Sequence, residues 1–398
     1  MEKRIIRTGG FNFSQEEKKT LYEIIESSRI TEHSKTNEFE RNWAKKIGTR
    51  YSVAVNSGTS ALISSLYSLK YLNKEDQRKK IITTPLTFIA TTNSILLSGF
   101  EPIYTDVNLD TFDIQSKGIE KILKENDPKD FFAILPVHLM GYPCDMDEIN
   151  RIAKENNLYV IEDSAEAHGS KYKSKNVGSL SDISIFSFYV AHNIQAGELG
   201  AVNTNNSKIR NLVRQIKAHG RMCDCNVCTR MDAGCPKKFP DDEDIDPRFT
   251  FTEIGFNFKS NEFATAIANS RMNQMEEINE KRQEIVAYLN EGLSKHSDVL
   301  QLPKYSRDVS YLAYPLVLKS GSRKKLREDL EKRGIETRAL FGSIPTQQPS
   351  MKNFKKEYLG KIPNSDYLGK NGFYIGCHQY LKKDDLDYII DSFDGILK

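Results

Sequence analysis

Apolar positions follow two alternating rhythms along the first half of the chain. Short apolar or β-branched runs (YSVAV, IITT, EPIYTDV, FFAILPV, LYVIED, ISIFSF and GAVNT) recur from about residue 51 onward and predict strands. Between several of them, SALISSLYSLKYL and MDEINRIAKENN carry apolar residues at helical spacing. Strands alternating with helices predict an α/β fold on a mainly parallel sheet covered on both faces. FFAILPV, almost wholly apolar, suits a strand buried on both sides. Ahead of these, Ser14 and Glu17 have capping-box spacing, and Leu21, Ile24 and Ile25 predict the buried face of a first helix.

The alternation stops near residue 203. Residues 221–252 are poor in apolar positions, hold four cysteines and the run DDEDID, and predict a long irregular insertion. Helical spacing resumes over roughly 261–290, through Phe263, Ile267, Met275, Ile278, Ile285 and Leu289. A last helix carries Leu386, Ile389, Ile390 and Phe393 on one side. The expected division is a large domain, residues 1–275, holding the insertion at 221–252, and a small C-terminal α+β domain, residues 276–398.

Composition narrows the field of functions. The 398 residues include 57 Lys+Arg and 54 Asp+Glu, a formal charge of +3, which argues against the strongly basic footprint of a nucleic-acid binder. No apolar run approaches the ~18–20 residues of a membrane span. The opening MEKRIIRTGGFNF lacks a signal peptide's apolar stretch, so a cytoplasmic location is expected. Four of the six cysteines fall between positions 223 and 235. In a reducing compartment such a cluster predicts metal or iron–sulfur ligation ahead of disulfides. Cys144 and Cys377 read as lone buried thiols.

Three segments carry candidate chemistry. NSGTSAL, Asn56 to Leu62, sits where a strand passes into a helix, and its small residues let backbone N–H groups approach an anion. A plain strand–helix turn reads the same way. VIEDSAEAHGS puts Asp163 at the end of a buried strand, where a carboxylate either pairs with a protonated ring nitrogen or caps a helix. SIFSFYVAHNIQAGELGAV places His192 between a strand end and a glycine-containing turn.

The order GTSAL, TPLTFIAT, PVHLMG, IEDSAEAHGS, FSFYVAHNIQAGELGA and GFNFKSNEFATAIA is similar to the sugar aminotransferase/dehydratase (DegT/DnrJ/EryC1/StrS) family of pyridoxal-phosphate enzymes, over roughly residues 15–395. The resemblance implies the aspartate-aminotransferase fold (fold type I), a homodimer, and PLP or PMP as cofactor. It implies that Gly58, Thr59, Ser60 and Ser187 hold the cofactor phosphate, that Phe88 stacks on the pyridine ring, and that Asp163 pairs with its nitrogen. Asn257 would reach the phosphate of the neighbouring subunit's cofactor. His168, His219 and Arg338 would face substrate, Arg338 at the nucleotide phosphates; His138 and His378 are further candidates for the sugar pocket.

Two departures from that pattern sharpen it. Most members have lysine where this chain has His192, and imidazole cannot make lysine's covalent link to the cofactor. That substitution resembles the family's 3-dehydratases of 4-keto-6-deoxy sugar nucleotides, in which untethered PMP is used and a histidine moves the protons. Glu166 stands where glutamine or aspartate is common, near the cofactor's phenolic oxygen.

The segment HGRMCDCNVCTRMDAGCPKKF resembles the iron–sulfur type, the CDP-4-keto-6-deoxyglucose 3-dehydrase group. That implies a [2Fe–2S] cluster, a flavin-dependent reductase as electron donor and an NDP-4-keto-6-deoxyhexose substrate. Cys223, Cys225 and Cys235 match that group's ligands; where its fourth cysteine stands this chain has Ala165, so Cys228 is the local substitute. Four thiolates also suit zinc, which stays open as an alternative. A metal-free dehydratase that regenerates PMP from glutamate, and a non-catalytic nucleotide-sugar binder, stay open as well.

Overall fold

The computed structural model describes residues 4–225, 246 and 248–397. All seven apolar runs become strands of one sheet: β1 (Tyr51–Val55), β2 (Lys80–Thr83), β3 (Glu101–Tyr104), β4 (Phe131–Leu135), β5 (Tyr159–Asp163), β6 (Ile183–Ser187) and β7 (Gly200–Thr204). Their spatial order is β1-β7-β6-β5-β4-β2-β3. The pairs from β3 to β6 are parallel, and β7 alone runs against both neighbours, with Gly200 opposite Val55 on one side and Ser187 on the other. All five residues of β4 are buried, as its unbroken apolar run requires.

This topology gathers chemistry at one edge. The C-terminal ends of β1, β5 and β6 and the N-terminal end of the reversed β7 lie together, so Asp163, Ser187 and the turn before helix Gly58–Leu72 face the same crevice. In open α/β sheets, that edge is where ligands bind.

A second sheet, wholly antiparallel, follows: β8 (Leu300–Gln301), β9 (Tyr314–Leu318), β10 (Thr337–Ala339) and β11 (Gly372–Ile375), in the order β8-β9-β11-β10. One apolar cluster runs through both sheets, from Val53, Ile161 and Ile185 to Leu316 and Phe373. The two layers therefore share a core and hold the crevice between them in fixed geometry.

Two helical expectations change in detail. The capping box forms, with Ser14 N–H donating to Glu17 Oε2 at 2.7 Å and Glu17 N–H to Ser14 Oγ at 3.0 Å. Ile25, however, is 53% exposed, while Ile24 is buried. Glu17 takes the inner face because Arg271 Nε reaches its Oε1 at 2.7 Å. The helical stretch near 261–290 is two helices, Glu262–Met272 and Met275–Leu293. Asn273 and Gln274 N–H turn back to Ser270 and Arg271 carbonyls, three residues away, which closes the first helix. In the closing helix, Leu386, Ile389 and Phe393 are buried. Among the described residues, no helix is long and apolar enough to cross a membrane.

The insertion begins and ends as a paired stem. Arg221 bridges Phe251, and Met222 N–H donates to Thr250 O at 2.8 Å. Cys228, Cys235 and all of DDEDID but its last residue lie outside the described residues.

Candidate active site

Helix Gly58–Leu72 opens on the crevice with Ser57 as its cap: Ser57 Oγ accepts the Ser60 N–H at 3.1 Å. The first N–H groups of a helix have no partner within it and carry the positive end of its dipole. Gly58 and Thr59 line the cavity at that point. A Cβ on Gly58 would meet Ser187 Cβ at 2.6 Å, and one on Gly200 would meet Ser57 O at 2.2 Å. Only glycines let the three strand ends close to this distance, leaving an anion-sized cradle of N–H and hydroxyl groups.

The cavity below the cradle measures about 450 Å³, and Asp163, Glu166, Ser187, His192, Phe88, Arg338, Phe341 and Tyr374 are among its lining. Asp163 is 4% exposed. Its Oδ2 accepts from Thr91 Oγ1 at 2.8 Å and its Oδ1 from Ala165 N–H at 3.2 Å. Burial pushes its carboxyl up, against the pull of those donors and of His138. A cationic N–H reaching it from the cavity would restore the charged form. Thr91 thus orients the carboxylate, and the motif TPLTFIAT, read only for Phe88, had carried that second residue.

Glu166 offers the opposite chemistry. Its Oε2 accepts the Met140 N–H at 2.7 Å. Burial, reinforced by the charge of Asp163, pushes it up to about 8, only partly offset by the Met140 bond. At neutral pH it is a buried carboxylic acid with a proton to donate. Tyr374 stands nearby on β11, directly across the strand pair from Arg338 on β10. Its phenol is pushed up by burial first and then by Glu166, while Arg338 works against both. Arg338 is half exposed, paired with Glu336 at 3.2 Å. Phe88 and Phe341 rings meet 5.9 Å apart at the cavity mouth.

His192 follows β6 on a short loop with its N–H on the Tyr189 carbonyl at 2.9 Å. The loop is pinned from two sides. Asn193 Nδ2 donates to Ser310 O at 2.6 Å, and Gln195 Nε2 to Val190 O at 2.7 Å while its Oε1 accepts from Arg271 at 2.8 Å. Burial draws the His192 imidazole down to about 4; the Ser187 backbone opposes this and the Arg282 cation adds to it. The ring is therefore neutral at pH 7, the form that can take a proton. Among the described residues, no lysine lines the cavity.

A family model described as the DegT/DnrJ/EryC1/StrS aminotransferase family matches residues 12–394. The chain belongs to that family. It is 30% identical to the lipopolysaccharide biosynthesis protein RfbH of Salmonella typhimurium, over 94% of this chain and 89% of that protein. It is 29% identical to the dTDP-4-dehydro-2,6-dideoxy-D-glucose 3-dehydratase of Saccharopolyspora spinosa, over 97% of this chain and 85% of that one. The solved structure of an E. coli GDP-4-keto-6-deoxy-D-mannose-3-dehydratase with bound hydrated PLP superposes with a TM-score of 0.86, at 24% identity, covering 98% of this chain and 100% of that one. The chain thus has the fold of PLP-dependent aminotransferases and is a member of a family of nucleotide-sugar-modifying enzymes.

Measured against the family's cofactor, the site fits. The glycine-lined cradle suits a phosphate, the buried Asp163 carboxyl suits a cationic ring N–H, and Phe88 presents a 58% exposed ring on one wall. Gly58, Thr59, Phe88, Asp163, Glu166, Ser187, His192 and Arg338 come together around one cavity. Four other expected residues lie elsewhere. Ser60 turns its hydroxyl away, to Asn56 Oδ1 at 2.6 Å, so it braces the cradle. Asn257 is exposed on the surface, with its carbonyl 3.5 Å from Asn56 Nδ2, and is absent from the lining of its own chain's cavity.

His219 is likewise exposed, in left-handed backbone at φ 66, outside the lining. His168 is not a cavity residue: it is fully buried beneath the site among Trp43, Phe186 and Phe188, with ring centroids 5.1–5.7 Å away. His138 is likewise structural, its Nδ1 accepting Cys144 N–H and its Nε2 meeting Glu162 at 3.1 Å.

Of the cluster cysteines, Cys223 is partly exposed and Cys225 exposed. Among the described residues, no group of three or more His, Cys, Asp or Glu is placed to hold a metal. Cys144 and Cys377 are buried, and burial drives both thiols up, Cys377 to about 12, so both stay protonated.

Proposed function

We propose that this chain is a PMP-dependent 3-dehydratase of an NDP-4-keto-6-deoxyhexose. The observation that carries this reading is a neutral histidine in a cofactor-shaped cavity where, among the described residues, no lysine lines the walls. Imidazole at position 192 cannot tether the cofactor as lysine does or serve as the ordinary transamination amine. The cofactor, bound as its amine, supplies the group that condenses with the sugar's C4 ketone and an electron sink for the charge that follows.

The chain's own residues divide the remaining work. Gly58, Thr59 and Ser187 bind the phosphate, and Asp163, steadied by Thr91, holds a ring proton in place. His192 takes a proton from the cofactor's C4′ carbon and returns it to the departing C3 hydroxyl. Glu166, as a neutral acid, donates toward the cofactor's phenolic oxygen. Arg338, at the mouth, pairs with the nucleotide phosphates. Asn257 serves the cradle of a partner copy in a homodimer.

The similarity of HGRMCDCNVCTRMDAGCPKKF to the iron–sulfur dehydrases supports coupling to one-electron reduction, with Cys223, Cys225, Cys228 and Cys235 as ligands and a flavin-dependent reductase as donor. A specific observation supports a second reading: Ala165, which lines the cavity, offers no thiol where that group has its fourth cysteine. The metal-free version of the same dehydration, with PMP regenerated from glutamate, accommodates that.

Metal analysis of anaerobically purified protein separates the two. About two irons per chain with thiolate-to-iron absorption support the cluster; zinc or no metal removes it. Dehydration itself is tested by exchange of the C4′ proton of PMP with solvent in the presence of a 4-keto-6-deoxy sugar nucleotide. Exchange as fast in His192→Asn as in the native protein would refute the catalytic role.

A further inference from the structure

Behind the cavity wall lie three buried ring nitrogens without a partner: Nδ1 of His192 and both nitrogens of His168. A buried ring nitrogen left without a hydrogen bond is destabilising. The two rings are 6.1 Å apart, tilted by 39°. At that separation, edges turned toward each other come within roughly 4 Å, closed by a small ring rotation or by one bridging water.

His168 has little freedom to serve anything else. It is 0% exposed, walled by Trp43, Phe186 and Phe188, and its carbonyl is held by Asn279 Nδ2 at 2.9 Å. The next residue, Gly169, is in left-handed backbone at φ 86, and a Cβ there would strike Asn279 Nδ2 at 2.4 Å. The same Asn279 side chain also accepts from Asn193, the residue after His192, at 3.3 Å. One asparagine therefore fixes both histidine-bearing segments against each other.

We infer that His168 is a positioning residue for His192, accepting a hydrogen bond from its inward Nδ1–H, directly or through one water, so that Nε2 presents its lone pair to the cavity. The inference rests on the reading of His192 as the base, and it goes beyond it by naming what sets the working tautomer. Burial keeps both rings neutral, so each carries one lone pair and one N–H and the pair can hold one proton between them. A base at Nε2 needs its proton parked on Nδ1, and an acceptor there is what parks it. Two competitors exist: the Ser187 backbone, which draws the His192 imidazole upward and would itself accept its proton, and, on the other side, Trp43 Nε1–H, also buried and unpaired, in a ring 5.7 Å from His168. Were the indole to take that lone pair, His168 would donate to His192 and the His192 proton would move to Nε2.

The ring nitrogens of the 7 histidines can be followed by ¹⁵N NMR in the cofactor-loaded protein, with His192 assigned by its loss in His192→Asn. The expected result is one neutral tautomer for His192, protonated on Nδ1. In His168→Phe, which keeps the aromatic packing, the His192 signals should shift to the averaged position of mixed tautomers. In His168→Gln, whose amide oxygen is an acceptor, the Nδ1–H form should return. A native His192 protonated on Nε2, or His192 signals unmoved by His168→Phe, overturns the inference. Activity is not the readout, so failure of the tautomer lock and failure of His192 as base are seen separately.

Discussion

Glu166 Oε2 accepts the backbone N–H of Met140 at 2.7 Å, and Met140 holds left-handed backbone at φ 55 to present it. A bulky residue in that conformation is uncommon and costs energy. Among the described residues, that N–H is the one hydrogen bond holding the Glu166 carboxyl, and it does not compensate for burial beside Asp163.

Stability should therefore carry a signature of Glu166. Its acid form persists to about pH 8 in the folded chain against 4.5 as the ordinary value. Between those limits the folded state binds the extra proton, so stability falls as pH rises, by at most about 1.4 kcal/mol per pH unit. Thermal unfolding of cofactor-free protein from pH 5 to pH 9 should show native Tm dropping relative to Glu166→Gln, which keeps the shape and cannot titrate. Parallel curves for the two proteins would mean that Glu166 is ionised throughout.

His192→Lys tests the placement of the loop without relying on turnover. A lysine there should capture PLP covalently, and borohydride reduction should leave one pyridoxyl phosphate on the intact chain by mass. The native protein, with imidazole at that position, should show none. If the variant also shows none, residue 192 does not reach the cofactor's reactive carbon.

Much of this site was legible because its residues sit at strand ends. The runs YSVAV, LYVIED and ISIFSF located β1, β5 and β6, and Asp163 and Ser187 at the ends of two of them, with Gly58 just past the third, fell together as the topology requires. His168 misled because GTSAL-like motifs fix the order of residues, not the side of a wall on which a ring lies. Its aromatic neighbours come from residues 43, 186 and 188, and no local pattern announces that enclosure. Phe341 and Tyr374 lie in the segments TRALFGSIPTQQP and NSDYLGKNGFYIGCHQYL, which resemble substrate-side stretches, but the individual residues could not be picked out, because they reach the cavity across more than 170 residues of chain from Asp163. Ile25 shows the limit of periodicity, since an ion pair of Glu17 with Arg271 decided which helix face turned inward.

The phosphate cradle predicts a selective loss. Gly58→Ala would force a methyl to within 2.6 Å of Ser187 Cβ, pushing the helix start away from β6. Alanine is otherwise welcome in a helix, so global stability should change little. Affinity for PMP, followed by its fluorescence, should fall by at least about tenfold, or roughly 1.4 kcal/mol. Affinity held at the native level would place the phosphate somewhere other than the turn before helix Gly58–Leu72.

Arg338 should affect substrate without affecting cofactor. It sits at the mouth, half exposed and balanced by Glu336, so its guanidinium is available to a second anion at little desolvation cost. Arg338→Ala should raise KM for the sugar nucleotide by about tenfold while leaving PMP affinity unchanged. Equal weakening of both would show that Arg338 supports the cavity wall instead of binding phosphates.

The loop that carries His192 is held by bonds that no motif advertised, and its precision should be measurable. Asn193 spans the gap to the small sheet's approach, with Nδ2 on Ser310 O at 2.6 Å and Asn279 Oδ1 at 3.3 Å. Asn193→Ala removes both bonds, costing the fold about 1–3 kcal/mol, which a protein with so continuous a core should survive. The imidazole would then sample positions on the scale of an ångström, enough to lower kcat by about 10²-fold. Because Gly58, Thr59 and Asp163 are anchored on other elements, PMP affinity and KM should stay near native. A drop in kcat alone identifies Asn193 as the residue that aims His192; an unchanged kcat means that the Gln195–Arg271 bond at 2.8 Å holds the loop unaided.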